Sequence, residues 1–101
     1  MPNNWLNNRK RRPTHPGEIL LEEFLKPADV SQRQAAIRMN ISVNRLSEIV
    51  LGKRGVTSET AVLFGLLTKT SPQMWLHLQA DYDLWHELQR MKGVTVEALA
   101  G

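Results

Sequence analysis

The stretch SQRQAAIRMNISVNRLSEIVL, residues 31–51, reads as two short helices meeting at a tight turn. Ser31 followed three residues later by Gln34 is a capping box, in which each partner satisfies a backbone N–H of the other. The first helix runs through Ala35, Ala36 and Ile37 to Met39, and Asn40 supplies the left-handed position that ends it. Ser42 caps the second, which buries Leu46, Ile49 and Val50 and ends at Gly52. Two helices at this spacing make a helix-turn-helix. Ala35 and Ala36 are small enough for a close crossing, and Ile41 plugs the corner. Leu46 and Ile49 anchor the second helix and leave Val43, Asn44, Arg45, Ser47 and Glu48 outside. An outward helix N-terminus with these residues suits the major groove. Asn bonds adenine bidentately, Arg bonds guanine, and a Val meets a thymine methyl. An ordinary helical hairpin with a solvated polar face is the competing reading.

Three more helical segments flank this pair, so the chain is expected to be all-α with five helices. The first begins near Pro16, a favoured first-turn residue, and runs through GEILLEEFLK until Pro27 stops it. Its apolar stripe is Leu20, Leu21, Phe24 and Leu25. The fourth starts after Thr57 or Ser58 and carries Ala61, Val62, Leu63, Leu66 and Leu67. The fifth opens at Ser71-Pro72 and continues to or past Leu88. No segment shows the period-two alternation of a strand. Residues 1–13 (MPNNWLNNRKRRP) are expected to be a flexible basic arm, 14–91 the helix-turn-helix domain, and 92–101 a loose tail.

Composition narrows the function. The 101 residues fit one domain, and the absence of cysteine excludes a disulfide framework or a Cys-ligated zinc site. No apolar run approaches the ~20 residues that span a bilayer. The basic N-terminus has no apolar stretch behind it and is not read as a secretory signal, so a cytoplasmic location is expected. The net charge of +3 is unevenly placed: residues 1–55 hold ten Lys/Arg against five Asp/Glu, and residues 56–101 three against five. The basic half is suited to a polyanion. No nucleophile elbow, phosphate loop or HExxH motif is present, so neither catalysis nor a small-molecule substrate is expected, and no cofactor.

Trp75, Leu78, Tyr82 and Trp85 form a continuous stripe on the fifth helix. Trp75 and Leu78 read as core. Tyr82 and Trp85 lie further out and call for a partner, a second copy first and another protein second. His77 and His86 stand nine residues apart, which puts them on opposite helix faces and excludes a shared metal. His15 reads as structural or solvated. The run Arg9–Arg12 is either a solvated tail or a phosphate-tracking arm.

The run VSQRQAAIRMNISVNRLSEIVLGKRGVT resembles the helix-turn-helix domain of lambda-type repressors. More narrowly, HPGEILLEEFL (15–25) and TSPQMWLHLQADYDLW (70–85) resemble the HigA antitoxins, also called virulence-associated protein I, and the likeness covers about residues 13–88. The resemblance implies a five-helix lambda-repressor-like fold and a homodimer. It further implies a HigB/RelE-like toxin partner that cleaves messenger RNA, and repression of the shared operon through double-stranded operator DNA. Carried over by position, Gln32 braces a phosphate and the recognition helix, with Arg33 beside it. Val43 and Asn44 face bases, Arg45 and Ser47 contact bases or backbone, and Lys53 and Arg54 reach the flanking backbone. Asn40 stands where many relatives have Gly, and the arm with Trp5 and Leu6 lies outside the likeness. Two alternatives remain at this point: a lambda-type regulator without a toxin, and a protein-binding inhibitor whose helix-turn-helix is vestigial.

Overall fold

The computed structural model describes residues 11–100, all of whose regular structure is helical. Most of the arm, with Trp5, Leu6, Arg9 and Lys10, lies outside the described residues. Five helical units follow in order. Helix α1 comprises Pro16–Ile19 continued directly by a π-helical stretch, Leu20–Leu25. Then come α2 (Gln32–Met39), α3 (Val43–Val50), α4 (Ser58–Thr68) and α5 (Pro72–Arg90).

The cap of α1 was not foreseen: His15 Nδ1 accepts from Gly17 N–H at 3.0 Å, with Pro16 in the first turn. The winding also differs from the regular α-helix expected. Lys26 N–H reaches back five residues to the Leu21 carbonyl at 3.0 Å. Bonds of that span bring residues five apart onto one face, and Leu20 and Leu25 are the two leucines of this stretch that are buried. The helix stops at Leu25, and Pro27 lies in the turn that follows, two residues before Asp29 at φ 56°.

The central pair is capped as its sequence dictates. Gln34 N–H donates to Ser31 Oγ at 3.0 Å and Ser31 N–H to Gln34 Oε1 at 2.9 Å. Asn40 takes φ 56°, ψ 43°, the left-handed position. Arg45 N–H donates to Ser42 Oγ at 3.0 Å. Ala35, Ala36, Leu46 and Ile49 are wholly buried where α2 and α3 cross.

Helices α4 and α5 close the core from the other side. Thr57 caps α4 reciprocally with Thr60, and Phe64 is the large side chain that α4 buries completely. Of the apolar residues read on this helix, Val62 and Leu66 are exposed, and Leu66 is 75% exposed. Lys69 ends α4 in the left-handed region, and Ser71 caps α5. Trp75 is the largest fully buried side chain among the described residues. Its indole N–H donates to Thr70 Oγ1 at 2.8 Å, and Phe64 and Phe24 pack on its ring. Beyond Arg90 the chain turns at Gly93 (φ 88°), and residues 94–100 are exposed and carry no regular structure.

Candidate nucleic-acid interface

The outward face of α3 is set by the residues it turns inward. Leu46, Ile49 and Val50 point into the core, which leaves Val43 and Asn44 exposed at the N-terminal end. Ser47 is half-buried on the same helix. Gln32 is half-buried at the first position of α2, and Arg33 is exposed beside it. Lys53 and Arg54 are exposed in the segment after α3. The expected contact residues therefore lie on three consecutive segments: the start of α2, the start of α3, and the connection to α4.

Two of the cations are already paired. The Arg45 guanidinium lies on the Glu59 carboxylate, at the first turn of α4, and its side chain is only 28% exposed. Arg45 Nε is buried without a hydrogen-bond partner. Arg54 pairs with Glu48 at 3.1 Å. Arg45 is thus less free than its place among the outward residues suggested, and Glu48 faces a cation rather than open solvent. Sequence spacing hides both pairs, which join residues fourteen and six apart and so fall outside the i, i+4 rule for helix neighbours.

The C-terminal end of α3 is braced from α1. A Cβ on Gly17 would stand 2.0 Å from the Ile49 carbonyl oxygen and 2.8 Å from Val50 Cα. Only a glycine permits this approach, which gives the HPGE stretch a physical reason. The His15 ring lies beside Gly52 and meets the Tyr82 ring edge-on at 4.8 Å. Burial lowers the His15 pKa, while Asp83 and Glu18 pull it the other way.

On α5, Tyr82 finds part of its cover within the chain, from His15 and from His86 at 4.5 Å. Trp85 is half-buried against His86, and its indole N–H is buried with no acceptor. His77 is exposed, and among the described residues no group of three or more His, Cys, Asp or Glu is placed to hold a metal ion. No described helix is long and apolar enough to cross a membrane.

No family model matches the chain. Individual relatives do. The chain is 43% identical over 70 residues to virulence-associated protein I of Dichelobacter nodosus, covering 69% of this chain and 65% of that protein. It is 33% identical to antitoxin HigA-1 of Vibrio cholerae, covering 84% of this chain and 80% of that one. It is 35% identical to the helix-turn-helix regulator YbaQ of Escherichia coli, covering 81% and 73%. Among solved structures, the Pseudomonas aeruginosa antitoxin HigA with the higBA promoter superposes at a TM-score of 0.76, with 36% identity over 79% of this chain and 87% of that one. A HigA-family antidote protein from Coxiella burnetii superposes at 0.77, with 37% identity over 86% and 100%. Four of these five relatives are described as a transcriptional regulator, antitoxins or an antidote protein. The chain belongs to the HigA and virulence-associated protein I family of helix-turn-helix regulators.

Proposed function

We propose that this chain is the antitoxin of a toxin–antitoxin pair, binding its operator as a homodimer to repress its own operon. In the same reading it neutralises a HigB/RelE-like toxin by protein–protein contact in the cytoplasm. The observation that carries the DNA half is the exposed Val43–Asn44 start of α3, with the cations Arg33 at the start of α2 and Lys53 and Arg54 just after α3 exposed as well. The P. aeruginosa antitoxin of the same fold was solved with its promoter DNA. Gln32, Arg33, Arg45, Ser47, Lys53 and Arg54 complete the proposed contact set. One recognition module buries only ~600–1,000 Å², so useful specificity calls for two half-sites ~34 Å apart or a multiple of that distance. Tyr82 and Trp85 are assigned to the second copy or the toxin, because both stay partly uncovered at the outer end of α5.

The test has two arms. Binding to the DNA upstream of its own gene should fall roughly 10³-fold between ~50 and ~200 mM salt if a dimer meets about six to eight phosphates. Co-expression with the product of the adjacent gene should restore growth to cells that this product arrests. Salt-insensitive binding would defeat the DNA arm. An adjacent product that arrests growth regardless of the chain would leave a regulator without a toxin, the competing reading.

A further inference from the structure

The segment joining α3 to α4 is held at its far end by a side chain distant in sequence. Gln79 of α5 is only 8% exposed, one of few polar residues buried in this fold. Its Oε1 accepts from Val56 N–H at 2.7 Å, and its Nε2 donates to Asp83 Oδ1 at 2.9 Å. Gly55 lies against the flat of that amide, where a Cβ would stand 3.1 Å from both Gln79 Cδ and Nε2. At the near end Gly52, at φ 77°, faces the His15 ring, which also feels the charge of Asp83. Between the two glycines stand Lys53 and Arg54, whose N–H groups both donate to the Glu48 carbonyl, at 2.9 and 3.2 Å.

The chemistry of this arrangement is directional. A carboxylate only accepts hydrogen bonds, so Asp83 turns the amide nitrogen toward itself and the amide oxygen toward Val56. Leucine at position 79 would fill similar space but leave the buried Val56 N–H without a partner. Such a group costs more than a lost hydrogen bond, so the backbone near Val56 would shift toward water. We propose that Gln79, oriented by Asp83, is a positioning residue for DNA binding. It fixes the backbone path that presents Lys53 and Arg54 to phosphates. The inference rests on the DNA-binding reading above.

The test is a thermodynamic cycle on the full chain. The probe is a duplex spanning the region upstream of its own gene, with a scrambled duplex as control. Gln79→Leu should weaken binding about five- to ten-fold and flatten the salt dependence. In a chain already carrying Lys53→Ala and Arg54→Ala, the same substitution should cost almost nothing, because the groups it positions are gone. Asp83→Asn, at an exposed site, should give a smaller loss of the same kind and keeps the test alive should Gln79→Leu not fold. Amide exchange reads the strut without DNA: Val56 N–H should be protected in the parent and released in Gln79→Leu. An equal loss in both backgrounds, or none in either, overturns the proposal. A parent chain that binds neither duplex overturns the DNA reading and this inference together, while Val56 protection still reports whether the strut exists.

Discussion

Arg45 of α3 rests on Glu59, a residue fourteen positions later on a different helix, and Glu59 is itself 67% exposed. The Arg45 side chain is partly buried but the carboxylate is open to solvent, so the pair is worth on the order of 1 kcal/mol, and a phosphate or a guanine edge can compete for the arginine. In the DNA-binding reading proposed above, releasing Arg45 from Glu59 carries the same cost on every sequence.

Glu59→Gln should tighten binding to operator and to scrambled duplex alike, by a few-fold. Fluorescence anisotropy titrations on both duplexes measure this. Equal affinities for parent and variant on scrambled DNA would show that Glu59 serves only as an acidic first-turn residue for α4.

Asn44 is exposed at the start of α3, so Asn44→Ala should leave the thermal midpoint unchanged. Operator affinity should drop by about 1–3 kcal/mol through the lost base contact. Rescue from the toxin should persist, since α5 carries the proposed protein contact. Loss of rescue in a folded variant would place the toxin on the DNA-reading face.

Gly17→Ala forces a methyl group into the Ile49 carbonyl, backbone against backbone, where no side chain can swing aside. The expected cost is about 2–3 kcal/mol, or roughly 10–20 °C in Tm. Gly93→Ala is the control. Its Cβ meets nothing within 4 Å, and only the positive φ of 88° opposes it, so about 1 kcal/mol is expected. Similar melting losses for the two variants would show that α1 yields to the intruding methyl.

His15 makes stability depend on pH. Its Nδ1 must be unprotonated to accept from Gly17, and burial lowers its pKa from 6.5 in spite of Asp83 and Glu18. The unfolded chain then binds more protons than the folded one in mild acid, so stability rises with pH. The contribution is complete above 6.5 and is lost as pH falls through that value toward the lowered folded one. Tm should drop between about pH 7.5 and about pH 5.5, and drop less in His15→Asn, which can still cap the helix. Parallel Tm profiles for parent and variant would remove His15 as the cause.

The parts of this fold legible in the sequence are those set by neighbours along the chain. Ser31 with Gln34, Asn40, Ser42 and Ser71-Pro72 each act within a few residues, and each stands as its local chemistry predicts. The π-helical winding of Leu20–Leu25 was hidden because Leu20, Leu21, Phe24 and Leu25 suit an α-helical stripe equally well. The candidate site divides the same way. Exposure of Val43 and Asn44 follows from the inward turn of Leu46 and Ile49. The attachments of Arg45 to Glu59, and of Gln79 to Val56, join residues that only tertiary packing brings together. Tyr82 was read as uncovered for the same reason, since a histidine from the opposite end of the chain, His15, supplies one of the two rings packed on it.

The brace of Gly17 on Ile49 and Val50 has a consequence for how such regulators diversify. The packing that holds α3 to the core, through Leu46, Ile49 and Val50 and the approach of Gly17, lies on its inner side and at its C-terminal end. Val43 and Asn44 support none of that framework. In the proposed DNA-binding reading, operator preference is therefore a detachable property: a gene duplicate can drift to a new promoter by exchanging these outward letters, with its folding and its melting temperature left as inherited.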